Sequence, residues 1–170
     1  RPEIQDLIEA SDFVSLNLYP ILRWRGKRGL EDSARFLHDG DFRGVLLEHL
    51  RSDMDDLLVA LSARGKTVIL GETGVPSLTP GGASTAKASH DIQAWLGALD
   101  DWTDFLRGLL KDHPCLQAVF FFEWSDNPEH PMVRHKGLAV HGGLGLADMN
   151  GKLKAPVRVL RRLLRKVLPS

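Results

Sequence analysis

The segment Val68-Ile-Leu-Gly-Glu-Thr-Gly-Val-Pro-Ser77 decides the fold of this chain, because it predicts a buried strand that ends abruptly in a turn. Residues Thr67–Leu70 are apolar or β-branched, which is typical of a strand covered on both faces in a parallel sheet. Two glycines and a proline follow and end the strand. Glu72 stands at this end, and a carboxylate at the carboxyl end of a buried strand is a candidate functional residue.

Two further segments predict buried strands of the same kind. Phe13–Leu18 is a short apolar run that ends before Pro20, which has no amide hydrogen for a sheet ladder. Residues 116–122, with the sequence Leu-Gln-Ala-Val-Phe-Phe-Phe, form the third apolar run. The segment between Val75 and about Thr85 is rich in glycine, proline and serine and is predicted to be a loop.

Helical periodicity fills the stretches between these strands. We expect a helix that Ser52 caps, that Gly65 ends and that turns Leu57, Leu58 and Leu61 inward. A longer helix is predicted over 88–111, where an apolar stripe includes Trp95 and Trp102. Shorter helices are predicted over residues 2–10, 31–38 and about 155–168.

Strands that alternate with helices predict an α/β fold with a parallel sheet. Right-handed crossovers place the carboxyl ends of all strands at one edge, where open sheets and barrels carry their chemistry. Three groups of side chains should therefore meet there: Asn17 and Tyr19 after the first strand, Glu72 after the second, and Glu123 and Trp124 after the third. Aromatic rings that stack on a pyranose, together with carboxylates and amides that bind hydroxyls, suit a sugar ligand.

Four segments carry a resemblance to a known family. Asp12–Pro20, Val68–Ser77 and Val119–Asp126 resemble the last three strands of a retaining β-glycosidase, and are most similar to the endo-β-1,3-glucanase family. Gly143–Pro156 resembles the closing stretch of that family. The resemblance implies that residues 1–170 form one partial glycoside hydrolase domain, the C-terminal portion, about three βα units, of a (β/α)8 TIM barrel.

The resemblance also implies roles for individual residues. Glu72 would be the nucleophile, Tyr19 would orient it, and Trp124 would form the floor of the sugar subsite beside the scissile bond. Glu123 and Asp126 would support ligand hydroxyls or Glu72 itself. The expected substrate contacts are thus Asn17, Tyr19, Glu123, Trp124 and Asp126.

The chain departs from this family in one respect that bears on activity. The acid/base glutamate follows an asparagine in the family, and no Asn-Glu pair occurs in this sequence. A whole barrel of this type has eight strands and needs about 250 residues. This chain has 170 residues and three predicted strands. We therefore expect the chain alone to be inactive and to pair with a missing N-terminal barrel half or with itself. The alternative is a non-catalytic carbohydrate-binding or assembly half-barrel.

Composition and charge narrow the possible partners. The 22 basic and 22 acidic residues cancel, so no global field favours nucleic acid. The single cysteine, Cys115, cannot form an internal disulfide, and no stretch resembles a signal peptide or a bilayer span. Three histidines share one loop without the spacing of a metal site, so we expect neither metal nor cofactor: His130, His135 and His141.

Two features admit a second interpretation. Trp24 lies between two arginines and either stacks on a distal sugar or packs within the protein. The last helix has an apolar face and an arginine-rich face, a pattern that also occurs in helices lying on anionic membranes. We favour an outer barrel helix with a solvated basic face over membrane binding.

Overall fold

A computed structural model describes residues 2–20, 26–79, 89–126, 144–165 and 167. Trp24 and the loop that holds His130, His135 and His141 lie outside the described residues, as do parts of the loop after Val75 and of the last predicted helix.

The described part of the chain contains five helices and five strands. In order they are α1 (Pro2–Ala10), β1 (Phe13–Leu18), α2 (Gly26–His38), α3 (Gly40–Ala63), β2 (Thr67–Thr73), β3 (Leu78–Thr79), β4 (Ser89–His90), α4 (Ile92–Asp112), β5 (Leu116–Phe121) and α5 (Val157–Arg165). Strands β1, β2 and β5 form a parallel sheet with β2 in the centre, whereas β3 and β4 form a separate antiparallel pair. The predicted α/β fold with three parallel strands is confirmed, and the short β3–β4 pair was not predicted.

The start of α3 differs from the sequence prediction. Ser52 was expected to cap the helix, but it lies within it, and the cap is Asp39, whose carboxylate accepts a hydrogen bond from the Phe42 amide at 2.9 Å. The prediction was based on Ser52 and on the acidic residue three positions later, Asp55. It was wrong because the same spacing also occurs inside helices, on the exposed side. Leu57, predicted to face inward, is 39% exposed, while Leu58 and Leu61 are buried.

Other boundaries shift by smaller amounts. Helix α2 starts at Gly26 instead of residue 31, and β5 ends at Phe121, one residue before the predicted end. Helix α4 starts at Ile92 because Asp91 caps it, accepting from the Ala94 amide at 3.0 Å. These shifts leave every strand end where the sequence places it, to within a few residues.

The core lies between α3, α4 and one face of the sheet, which we call the helix face. Alternate residues of the central strand, Val68 and Leu70, are fully buried there, against a stripe of α4 that includes Trp102 and Leu106. Each such side chain contributes about 1.5–3 kcal/mol by leaving water. The hydrophobic burial therefore fixes the central strand and, with it, the position of Glu72 at the strand end.

The other face of the sheet, which we call the open face, is largely exposed. Phe13, Ser15 and Asn17 alternate along β1 as exposed residues, and Phe120 of β5 is 56% exposed. In a closed barrel this is the face that turns toward the barrel interior, where side chains from all strands pack together.

Gly145 lies where the segment after residue 143 crosses the end of β5. A Cβ atom on this residue would collide with the backbone of Ser125 and Asp126. We expect Gly145→Ala to lower the free energy of unfolding by about 1–3 kcal/mol, because backbone atoms cannot move aside as a flexible side chain can. Denaturant unfolding measures this change.

Gly97 provides the control for this substitution. It is an exposed residue within α4, and an added Cβ would meet nothing within 4 Å. Gly97→Ala should raise stability by about 0.5–1 kcal/mol through helix propensity. Equal effects of the two substitutions would contradict the close approach at Gly145.

Candidate active site

An irregularity in β2 determines the face on which Glu72 lies. Leu16 of β1 pairs with Leu70, but the next residue, Asn17, pairs with Glu72, so Gly71 is an extra residue in β2. Regular alternation would have placed Glu72 on the helix face, two residues after Leu70. The bulge instead places Glu72 beside Asn17 on the open face, and bulges often re-aim a side chain in this way.

Gly71, the extra residue of the bulge, lies close to two side chains of β1. A Cβ atom on Gly71 would collide with the Ser15 hydroxyl and lie 3.7 Å from the Asn17 side-chain oxygen. Both neighbours belong to the open face, so Gly71 and Glu72 face the same side. Glycine at this position leaves the space beside Ser15 and Asn17 unfilled.

Tyr19 holds the Glu72 carboxylate. The Tyr19 hydroxyl donates a hydrogen bond to Glu72 Oε2 at 3.0 Å. Burial raises the pKa of Tyr19 strongly, and the hydrogen bond to Glu72 and the charges of Glu72 and Glu123 raise it further. Tyr19 therefore stays protonated and keeps the hydrogen that it donates to Glu72.

Glu123 is half-buried close to the same pair. Its charge acts on Tyr19 from one side and on Lys154 from the other. Its backbone carbonyl accepts a hydrogen bond from the Leu146 amide at 3.2 Å. The carboxyl ends of β1, β2 and β5 thus bring a phenol and two carboxylates together, with the Asn17 amide beside Glu72.

Lys154 connects the loop after β2 with the loop after β5. Its side chain is 2% exposed, and its ammonium donates to Asp126 Oδ1 at 2.6 Å and to Ser77 Oγ at 2.8 Å. It also lies 5.5 Å from the centre of the Trp95 ring. Burial lowers the pKa of Lys154, while the hydrogen bond and charge of Asp126 oppose that shift. One cation therefore links the loop after β2 to the loop after β5.

Asp126 is an internal member of this network. Its side chain is 5% exposed, and Oδ1 also accepts a hydrogen bond from the Gly145 amide at 3.0 Å. The sequence analysis predicted contact with ligand hydroxyls or support of Glu72. The structure gives this carboxylate partners inside the protein, the Lys154 ammonium and the Gly145 amide.

Two tryptophans of α4 hold the segment that follows Glu72. The Trp102 indole donates to Thr73 Oγ1 at 3.0 Å, and the Trp95 indole donates to the Val75 carbonyl at 2.8 Å. Both rings are buried, and each hydrogen bond satisfies a polar group that would otherwise cost about 1–3 kcal/mol. These bonds make the turn after Glu72 rigid, as a nucleophile or ligand-binding carboxylate requires.

Trp124 lies on the surface of the protein. It is 65% exposed and lines a groove with Leu146, Leu153 and helix α5. The structure therefore brings Asn17, Tyr19 and Glu72 into one cluster, with Glu123 near Tyr19. Asp126 is buried against Lys154, and Trp124 is exposed in the groove beside α5.

The described part of the chain contains no group of three or more histidine, cysteine, aspartate or glutamate side chains arranged to hold a metal ion. Among the helices described, none combines the length and the apolar character needed to cross a membrane.

Comparisons with known proteins support the fold. No protein-family model and no curated protein matches the sequence. A solved β-glucuronidase from Ruminococcus gnavus matches 95% of this chain with a TM-score of 0.52 and 13% identity. A glycoside hydrolase family 5 mannosidase from Rhizomucor miehei matches 92% of the chain with a TM-score of 0.48 and 11% identity.

The match to the glucuronidase covers only part of that protein. The chain spans 24% of the glucuronidase chain and 37% of the mannosidase chain. Together with the three parallel strands, this shows a glycosidase-like fold that corresponds to part of a (β/α)8 barrel. The predicted fold class, about three βα units of such a barrel, is confirmed.

Proposed function

We propose that residues 1–170 are one partial domain, the C-terminal portion of a retaining β-glycosidase that acts on β-glucan. The endo-β-1,3-glucanase family is the one that its motifs resemble most. The observation that supports this proposal best is the bulge at Gly71, which turns Glu72 to the open face and into hydrogen-bond contact with Tyr19. Glu72 is the proposed nucleophile.

The proposed reaction follows the double displacement of retaining glycosidases. Tyr19 engages Oε2 of Glu72, which leaves Oε1 to attack the anomeric carbon. The bond to the leaving oxygen breaks as an acid/base glutamate, supplied by the preceding part of the barrel, gives that oxygen a proton. The same glutamate then takes a proton from water or an acceptor sugar, whose oxygen displaces Glu72 and frees the product.

The remaining predicted residues have supporting parts in this proposal. Asn17 is exposed beside Glu72, and its amide suits a sugar hydroxyl next to the scissile bond. Glu123 is close enough to bind a hydroxyl or to adjust Tyr19 through its charge. Trp124 would stack on a sugar ring, and Asp126 would support the site through Lys154.

Activity provides the test of this proposal. The 170-residue chain alone should release no reducing sugar from laminarin, because a nucleophile without its acid loses most of the rate. Once the chain is assembled with the barrel portion that carries the acid/base glutamate, Glu72→Gln should lower kcat on the order of 10⁴-fold or more. Glu48→Gln, an exposed substitution on α3, is the control. Laminarin hydrolysis that Glu72→Gln leaves intact would rule out Glu72 as nucleophile.

A non-catalytic carbohydrate-binding half-barrel is the second candidate. The absence of an Asn-Glu pair from the sequence and the 65% exposure of Trp124 favour it. This candidate requires the chain alone to bind laminari-oligosaccharides, with an affinity that falls on Trp124→Ala. No binding by the isolated chain in titration calorimetry would exclude it.

A further inference from the structure

The β5 side of the sheet ends without a neighbouring strand among the described residues. Strand β5 pairs with β2 on one side, and the sheet order within the described part of the chain is β1-β2-β5. An unpaired edge presents a row of amide and carbonyl groups that another strand can pair with. Phe120 on the open face and Trp124 just beyond the strand are both more than half exposed, so this edge is apolar as well.

A groove runs between Trp124, which follows the end of β5, and helix α5. Its volume is about 520 Å³, and its apolar lining includes Trp124, Leu146, Leu153 and Leu164. Leu163 of α5 is buried in the core, whereas Val157, Arg161 and Leu164 of the same helix line the groove. A groove of this size, with a continuous apolar floor, is wide enough for side chains of an added helix or strand.

The rim of the groove is strongly basic. An adjoining groove of about 600 Å³ is lined by Val157 and by Arg158, Arg161, Arg162 and Arg165. None of these arginines forms an ion pair within the described residues, and no acidic side chain lines either groove. Four uncompensated arginines beside an apolar floor favour an occupant with apolar side chains flanked by carboxylates.

We infer that the part of the groove between Leu153 and α5 is the docking surface for the N-terminal portion of the barrel, and that the docking segment is a βα unit with an acidic rim. This inference rests on the proposed function, because it assigns the place at which the portion with the acid/base glutamate joins. A parallel barrel closes only when another strand pairs with the open edge of β5. The described part of the chain supplies three parallel strands of such a barrel, so the other strands must come from elsewhere.

The test uses the segment encoded directly upstream of Arg1, expressed as a separate chain and titrated against the 170-residue chain. We expect a complex by native mass measurement and calorimetry, with an affinity that falls at least about tenfold in Arg161→Glu/Arg165→Glu and falls as salt is raised. The matched control is Arg107→Glu/Lys111→Glu on α4, which reverses two exposed charges away from the groove and should leave the affinity unchanged.

Several outcomes would overturn the docking assignment. They are the absence of an encoded barrel segment upstream, binding that the groove variant does not weaken, and binding that the control weakens equally. A second copy is the occupant if the chain alone forms an oligomer that Arg161→Glu/Arg165→Glu dissociates. A membrane is the occupant if the variant abolishes binding to phosphatidylserine–phosphatidylcholine vesicles.

Failure of the proposed function has a different signature. If the complex forms and depends on the arginines but does not hydrolyse laminarin, the docking surface holds and the β-glucan activity does not. If laminarin is hydrolysed by an assembly that is insensitive to the groove variant, the β-glucan activity holds and the docking surface does not.

Discussion

Lys154→Met is expected to lower the free energy of unfolding by about 3–5 kcal/mol, the cost of breaking a buried ion pair by removing one partner. The side chains of Lys154 and Asp126 are 2% and 5% exposed, so water cannot replace the lost cation. Methionine keeps most of the aliphatic stem that packs near Trp95. The loss therefore comes mainly from the uncompensated carboxylate and from the Ser77 hydroxyl, which loses its donor.

Denaturant unfolding at neutral pH measures this loss, and two further variants show its cause. Lys152→Met replaces an exposed lysine of the same turn and should change stability by less than about 0.5 kcal/mol. Lys154→Met/Asp126→Asn should recover part of the loss, because asparagine carries no charge and still accepts the Gly145 amide. A loss below about 1 kcal/mol in Lys154→Met would show that the ion pair is not buried as described.

The importance of Lys154 could not be predicted from the sequence. Lys152 and Lys154 stand in the same short turn, Gly-Lys-Leu-Lys, and local sequence does not distinguish them. Lys154 is buried because Asp126 and Ser77, 28 and 77 residues away along the chain, meet its ammonium. Such a contact depends on how the loops after β2 and β5 come together, which no local pattern encodes.

The strands, in contrast, were predictable because their signal is local. Val68 and Leu70 belong to an uninterrupted apolar run, and the α4 stripe repeats at helical spacing, so both elements follow from short-range patterns. The face of the sheet on which Glu72 lies could not be predicted from a local pattern. It depends on the register of β1 against β2, and the extra residue at Gly71 is visible only once the two strands are paired.

The position of the site at the strand ends followed from topology alone. Parallel strands joined by helices must end at one edge, so Tyr19, Glu72 and Glu123 were expected there before any contact was known. The hydrogen bond from Tyr19 to Glu72 agrees with the contact that the family resemblance implied. Their catalytic roles remain part of the proposal, because position at an edge defines which groups can act together and not which reaction they perform.

Tyr19 is the only tyrosine in the chain, so the tyrosinate absorbance change reports its ionisation alone. We expect Tyr19 to titrate well above the ordinary value of 10.0, because burial, the hydrogen bond to Glu72 and the charges of Glu72 and Glu123 all raise its pKa. Glu72→Gln should lower this pKa more than Glu123→Gln does. Burial should still hold it above the ordinary value, and Glu48→Gln should leave it unchanged.

The same shift makes stability depend on alkaline pH in a defined direction. Because the pKa of Tyr19 is higher in the folded than in the unfolded state, its contribution to stability is complete below pH 10 and is lost as the pH rises above it. Glu72→Gln, by reducing the shift, should flatten this alkaline loss in pH-dependent denaturant unfolding. A wild-type Tyr19 that titrates at its ordinary value, or a shift that Glu72→Gln leaves intact, would mean that the phenol does not hold Glu72. The nucleophile assignment would then lose the contact that orients the carboxylate, because the bulge at Gly71 alone places Glu72 on the open face without fixing which oxygen is free to react.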